Sequence, residues 1–134
     1  MRILFDQGTP VPLRRHLHPR RMETVAELGW SGLANGDLLA AAEEAGFDVL
    51  ITTDQNLKYQ QNLDQRALGI VILMTTSWPR IKAKVQDVIV VIDGLPGGGY
   101  AEVTFRSTEP TTIDEIGAMA GAWFKATPPR GKQP

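Results

Sequence analysis

Two short runs of apolar and β-branched residues constrain the fold of this chain more than any other feature. Residues 49–53 and 70–74 contain no charged side chain, and such runs are typical of strands buried on both faces of a parallel sheet. Residues 3–5 form a third, shorter run. Segments with helical spacing of apolar residues lie between these runs. We therefore predict an α/β fold with three αβα layers on a mostly parallel sheet.

Two helices are predicted in the first half of the chain. Residues 10–18 follow the first strand, and Val11 and Leu17 are expected to face the core. The second helix has clearer limits, because Asn35 is placed to cap its N-terminus and Gly46 to end it. Its apolar face is expected to consist of Leu38, Leu39, Ala42 and Ala45.

Three further elements are predicted from periodicity. Residues 23–26 are expected to form a second strand. Residues 78–93 carry apolar side chains at helical spacing throughout, which predicts one continuous helix capped by Ser77 or Thr76. Residues 100–106 alternate in polarity, which predicts an edge strand with one solvent-exposed face.

The domain organisation follows from size. A chain of 134 residues with 43% hydrophobic content can build one ordinary core, so residues 1–106 are interpreted as one domain. Residues 107–126 are expected to add a C-terminal helix, whose apolar stripe would dock on its own domain or on a partner chain such as a second copy. Residues 127–134, rich in proline and charge, are expected to be disordered.

Composition narrows the classes of function. There is no cysteine, which excludes disulfides, zinc thiolate sites and a cysteine nucleophile. Only three apolar residues lie between Arg2 and Asp6, too few for a signal-peptide core, and no later stretch is long enough to span a membrane, so a cytoplasmic protein is expected. The net charge of -1 gives no general attraction to nucleic acid, so RNA binding would need a local basic patch. Residues 14–21 provide one.

Three carboxylates are the best candidates for a chemical site. Asp6 and Asp54 each follow an apolar strand, and ligands of open α/β sheets bind beyond the carboxyl ends of the strands. Asp37 lies in the first turn of a predicted helix. Carboxylates from separate elements can converge on one magnesium ion, which would support phosphodiester hydrolysis. The alternative is that Asp6 and Asp54 are turn residues and Asp37 only complements a helix dipole.

Three runs of the sequence resemble a small PIN-like family of prokaryotes. They are ILFDQGTP at 3–10, NGDLLAAA at 35–42 and VLITTDQNL at 49–57, and the resemblance covers about residues 1–105. It implies a metal-dependent ribonuclease that uses Mg²⁺ or Mn²⁺ and acts on RNA, with Asp6, Asp37 and Asp54 as its catalytic and metal-binding residues. Many PIN domains are toxins of toxin–antitoxin pairs, so the resemblance also implies an antitoxin protein as a partner.

The sequence departs from this family beside the first aspartate. Relatives often carry a second acidic residue there, where this chain has Gln7. Glu27 and Asp64 are candidates for a fourth carboxylate. A site of three acids and several amides would bind metal more weakly, so a second hypothesis is a PIN-like binding or regulatory module without catalysis.

Four side chains are candidates for contacts to RNA. Arg14 and Arg15 lie just after the Asp6 loop, and arginine matches phosphate oxygens well. Asn56 and Lys58 follow Asp54 closely. The alternative is that the basic run of residues 14–21 only forms a solvated helix face and loop.

A receiver-like signalling domain would also place aspartates at strand ends. It would need an acidic pair beside Asp6 and a lysine late in the sheet. Gln7 and the lack of a lysine after Met74 on the fourth strand argue against it.

Overall fold

The computed structural model of this chain describes residues 1–60 and 66–105. The predicted C-terminal helix and tail, at 107–126 and 127–134, lie outside the described residues. The elements in chain order are β1 (Arg2–Phe5), α1 (Leu13–His16), β2 (Arg21–Thr24), α2 (Asn35–Glu44), β3 (Val49–Thr52), α3 (Leu57–Gln60), β4 (Gly69–Leu73), α4 (Trp78–Ala83), α5 (Val85–Gly94) and β5 (Tyr100–Val103).

The five strands form one parallel sheet in the order β2-β1-β3-β4-β5. In register, Leu4 of β1 lies beside Leu50 of β3, which lies beside Ile70 of β4. The chain runs from β1 to β2 on one side and resumes with β3 on the other side of β1. The gap between β1 and β3 is therefore the topological switch point, where doubly wound sheets bind ligands.

Apolar layers cover both faces of the sheet, which confirms the three-layer α/β prediction. Helices α1, α4 and α5 pack on one face around Phe5, Ile51 and Val71. Helices α2 and α3 pack on the other face around Leu4 and Leu50. Every residue of β3 and β4 is buried, as expected for central strands with a helix layer on each side.

The first two helices differ from their predictions in detail. Helix α1 is a single turn, and Val11, expected in the core, precedes it and is 58% exposed. Asn35 does not cap α2, because Ala34 is the N-cap and no side chain caps that end. Leu38, Leu39 and Ala42 are buried as predicted. Ala45, predicted on the apolar face, follows the last turn and is exposed.

The second half also differs in two places. The predicted continuous helix at 78–93 is two helices, α4 and α5, since Lys84 leaves helical geometry at φ -127° and ψ 31°. Ser77 caps α4 by accepting a hydrogen bond from Arg80 N. Strand β5 was predicted with one exposed face, yet all four of its residues are buried. No helix in residues 1–60 and 66–105 is long and apolar enough to cross a membrane.

Candidate active site at the carboxyl edge of the sheet

Asp6 and Asp54 lie at the carboxyl ends of two neighbouring strands. Asp6 follows β1 directly, and its backbone N–H donates to Ile51 O at 3.0 Å, which extends the ladder between β1 and β3 by one residue. Asp54 comes two residues after the end of β3. Both aspartates therefore stand at the switch point between β1 and β3, at the edge of the sheet where ligands are expected.

The hydroxyl group of Thr52 connects the two aspartates. Thr52 is fully buried at the end of β3. Its Oγ1 donates to Asp6 Oδ2 at 2.8 Å and accepts from Asp54 N at 3.1 Å. A hydroxyl has a single proton, and because Asp54 N is itself a donor, that proton points to Asp6. No role for Thr52 was predicted from the sequence, although a polar residue at the end of an otherwise apolar strand is a signal for one.

The carboxylate of Asp54 is oriented from two sides. Its Oδ1 accepts from Asn56 N at 3.0 Å, the pattern of an Asx turn. Its Oδ2 accepts from Asn35 Nδ2 at 3.3 Å. Asn35, predicted as a helix cap, therefore uses its side chain to connect the first turn of α2 to Asp54.

The pKa of Asp6 is shifted by its burial, its hydrogen bonds and the nearby charge of Asp54. Burial is the largest influence and raises the pKa of Asp6 above its ordinary value of 3.8. Hydrogen bonds from Thr52 and from Gln7 N act to lower this pKa, and the negative charge of Asp54 acts to raise it. Asp54 is therefore close enough for its negative charge to disfavour the ionised form of Asp6.

Asp37 occupies the predicted position in the first turn of α2, where it is exposed. Asn35 lies in the same turn. Within residues 1–60 and 66–105, no three acidic or histidine side chains lie close enough together to hold one metal ion. The structure thus brings Asp6 and Asp54 together, and the convergence of Asp37 with them stays a prediction.

The carboxylate pair has the donor set that a hard divalent cation prefers. Among the described contacts, each of the four oxygens of Asp6 and Asp54 accepts one hydrogen bond. A carboxylate oxygen has two lone pairs, so each keeps one for a ligand. Magnesium is commonly bound by one or two carboxylates together with water and substrate phosphate oxygens. The residues present therefore fit such an ion.

The four candidates for RNA contacts lie in different environments. Arg15 and Asn56 are exposed. Arg14 bonds to Glu27 and to Met22 O, each at 2.8 Å. Lys58 forms an ion pair with Glu102, a residue that is only 5% exposed. Arg14 and Lys58 thus have structural partners that their positions in the sequence did not reveal.

The two candidates for a fourth carboxylate do not join the pair among the described residues. Glu27 is exposed and pairs with Arg14, which together with a backbone bond at Thr24 lowers the pKa of Glu27. Asp64 lies outside the described residues. Glu102 is a buried carboxylate that the sequence analysis missed, and it accepts hydrogen bonds from Tyr100 Oη and Lys58 Nζ.

Two concavities border the Asp6 loop. A small one of about 150 Å³ is lined by Phe5, Asp6, Gln7, Gly8, Thr9, Val11, Thr24, Val25 and Ala26. A larger groove of about 680 Å³ is lined by Val11, Pro12, Arg14, Arg15, His18, Arg20 and Met22. Val11 lines both concavities, so the arginine-lined groove adjoins the small concavity beside Asp6.

No protein-family model matches this chain, and neither a curated protein sequence nor a solved structure was found to match it.

Proposed function

We propose that this chain is a metal-dependent ribonuclease of the PIN-like type, with Mg²⁺ or Mn²⁺ as its cofactor. In this proposal Asp6, Asp37 and Asp54 are the catalytic and metal-binding carboxylates. The observation that carries it is the hydrogen-bonded unit of Asp6, Thr52 and Asp54 at the topological switch point. Such a pair of carboxylates suits a hard cation and a phosphodiester substrate better than other common chemistries.

Each residue around the pair has a distinct task in the proposed site. Thr52 fixes the direction of Asp6, and Asn35 and Asn56 N fix that of Asp54. A divalent cation bound there would polarise the scissile phosphate and lower the pKa of a coordinated water. Asp37 is assigned as a third ligand because it lies in the turn of α2 that Asn35 connects to Asp54.

RNA would approach along the basic groove beside the Asp6 loop. The groove is lined by Arg15, Arg20 and His18 among others, and cationic side chains supply most sequence-independent affinity for phosphates. Arg15 is exposed and close in sequence to the Asp6 loop. We therefore assign the principal phosphate contact of this groove to Arg15, while Asn56 and Lys58 flank the site on the side of Asp54.

The decisive experiment measures cleavage of single-stranded RNA by the purified chain in Mg²⁺ or Mn²⁺. Cleavage should occur, and a chelator should abolish it. Asp54→Asn should also abolish it, because a charged ligand becomes a neutral one of the same shape. Asp87→Asn is the matched control, since it removes one carboxylate from α5 that is not part of the proposed site, and should leave cleavage unchanged. Equal cleavage by the Asp54→Asn variant would rule out the proposed site.

A regulatory module without catalysis is the second candidate function. It is favoured by the exposure of Asp37 and by the lack of a three-acid group among the described residues. Such a module would still bind Mn²⁺ or RNA but would leave RNA uncut. Titration calorimetry with Mn²⁺ beside the cleavage assay separates the two functions.

A cytoplasmic toxin restrained by an antitoxin protein is the biological role that we assign to the nuclease. Its support is the resemblance to PIN-like proteins. Expression of the chain alone should then slow growth of the host cell, and Asp54→Asn should relieve this effect. Equal growth inhibition by the wild type and the Asp54→Asn variant would show that toxicity does not depend on the proposed site.

Receiver-like signalling domains share the strand order of this sheet, so only side chains can distinguish this chain from them. Gln7 is exposed and cannot supply the acidic partner beside Asp6. Incubation with a small phosphodonor such as acetyl phosphate should therefore leave Asp6 and Asp54 unmodified, as mass spectrometry would show.

A further inference from the structure

Strand β2 forms one edge of the sheet that the structure describes. Val25 N donates to Phe5 O at 3.0 Å, so the backbone groups of Val25 point towards β1. Backbone groups of successive residues in a strand point to opposite sides. Those of Met22 and Thr24 therefore point outward, to the side where a further strand would add.

Two side chains occupy two of the outward backbone groups of β2. Arg14 Nη2 donates to Met22 O at 2.8 Å, and Glu27 Oε1 accepts from Thr24 N at 3.0 Å. The same two side chains are joined to each other, because Arg14 Nη1 donates to Glu27 Oε2 at 2.8 Å. Together they form a continuous bridge along the edge, from the carbonyl of Met22 to the N–H of Thr24.

The backbone around β2 holds this bridge in place. Glu27 N donates to Thr24 Oγ1 at 3.0 Å, so Thr24 and Glu27 bond reciprocally as in a capping box. Leu28 N donates to Thr24 O at 3.2 Å and so occupies a third outward group. Arg14 extends from α1 across the edge to reach both Met22 and Glu27.

An added antiparallel strand would bond to the outward N–H and C=O groups of Met22 and Thr24. Two of the groups that it needs, Met22 O and Thr24 N, are occupied by Arg14 and Glu27. Unpaired edge groups are a template for association with another chain, and proteins commonly block them with charged side chains. We propose that Arg14 and Glu27 guard the β2 edge against strand addition by a second copy of this chain. In the absence of the guard, the β2 strands of two copies would pair about a two-fold axis, because a symmetric dimer buries the same strand of both partners.

The test replaces Glu27 and Arg14 separately. Glu27→Ala frees Thr24 N, and Arg14→Ala frees Met22 O. Each variant should associate more strongly than the wild type, which sedimentation velocity would show as a concentration-dependent rise in mass towards twice that of the monomer. The infrared amide I band should gain an intermolecular β component, and circular dichroism establishes that each variant is folded.

Asp93→Ala is the matched control for these variants. Like Glu27→Ala, it removes an exposed carboxylate that pairs with an arginine, here Arg20. Unlike the pair of Arg14 and Glu27, this ion pair connects α5 to the turn before β2 and contacts no outward backbone group of β2. It should behave like the wild type. Adding Thr24→Pro to Glu27→Ala should reverse the association, because proline has no N–H and is tolerated on edge strands.

The proposal is overturned if folded Glu27→Ala and Arg14→Ala proteins sediment as the wild type does at every concentration. It is equally overturned if Asp93→Ala associates to the same extent, since a general loss of surface charge would then be the cause. The measurement needs neither metal nor RNA, so its outcome is independent of the proposed nuclease activity.

Discussion

The hydroxyl of Thr52 and the carboxylate of Asp6, on neighbouring strands, are joined by a 2.8 Å hydrogen bond at the carboxyl edge of the sheet. This bond lowers the pKa of Asp6 and so opposes the effect of burial. Thr52→Val removes the bond at nearly constant volume, so the pKa of Asp6 should rise further. The variant should also lose about 1 to 3 kcal/mol of unfolding free energy, because Asp54 N loses its acceptor as well.

NMR titration of the Asp6 side-chain carboxyl carbon measures this pKa directly. Thr52→Ser keeps a hydroxyl group and should return the pKa of Asp6 close to its wild-type position. If Asp6 titrates identically in the Thr52→Val and wild-type proteins, the hydrogen bond has no influence on the site.

The charge of Asp54 should affect Asp6 in the opposite direction. Asp54→Asn removes a negative charge that raises the pKa of Asp6, so this pKa should fall. The two carboxylates repel only when both are ionised. In metal-free buffer the variant should therefore be as stable as the wild type or more stable at neutral pH, and the difference should vanish as the pH falls through the pKa of Asp6. Chemical denaturation at pH 7 and pH 3 compares the two proteins.

Manganese should stabilise the folded protein. A cation that binds only the native state raises the melting temperature in proportion to the logarithm of its concentration above its dissociation constant. We expect the melting temperature to rise in millimolar Mn²⁺ for the wild type and to stay constant for Asp6→Asn or Asp54→Asn. Sodium chloride at the same ionic strength is the control for screening of the two carboxylates. A wild-type melting temperature that does not respond to Mn²⁺ argues strongly against the site.

Helix α5 should contribute to the core and not to catalysis. Val88 is completely buried against the sheet, whereas Val90, two residues on, is 48% exposed. Val88→Ala should cost about 1 to 4 kcal/mol of unfolding free energy, and Val90→Ala less than about 0.5 kcal/mol. Urea denaturation gives both values. Ile89, which is only partly buried, should fall between them. Similar costs at positions 88 and 90 would mean that the face of α5 has been assigned wrongly.

The two arginines after the Asp6 loop should have different effects on RNA binding. Arg15→Ala should weaken binding and reduce the slope of log affinity against log salt by about one, as expected for one lost phosphate contact. Arg14→Ala should chiefly reduce stability, because Arg14 bonds to Glu27 and Met22 O. Lys82→Ala is the control, since Lys82 is an exposed cation on α4, outside residues 14–21. Fluorescence anisotropy with labelled single-stranded RNA measures all three, and unchanged binding by Arg15→Ala would exclude the assigned contact.

The two central strands and their burial on both faces could be predicted, because their sequence pattern is compatible with only one position in the fold. Residues 49–53 and 70–74 are apolar on both faces, so they can be stable only between two helical layers, and β3 and β4 occupy this position. Asp6 and Asp54 could be predicted to lie at one edge of the sheet because parallel strands end together.

Two of the errors, at Asn35 and in β5, arose where a distant partner decides the outcome. Asn35 has the ideal composition for a helix cap, yet its side chain bonds to Asp54 from another element. Strand β5 alternates in polarity, but Lys58 pairs with Glu102 on the side predicted to face solvent. The break at Lys84 lies within an uninterrupted apolar periodicity, so nothing in the local pattern indicates it. Sequence spacing describes neighbours along the chain and not the partners that folding brings together.

The ion pair between Lys58 and Glu102 connects helix α3 to the edge strand β5. A buried carboxylate that loses its cation is strongly destabilising, whereas replacement of both charges by apolar groups of similar volume can be neutral. Single substitutions at either position are therefore disfavoured and paired ones are tolerated. Across a set of related sequences, positions 58 and 102 should consequently covary, as lysine with glutamate or as two apolar residues, and this covariation would mark the α3 to β5 contact in chains whose structures are unknown.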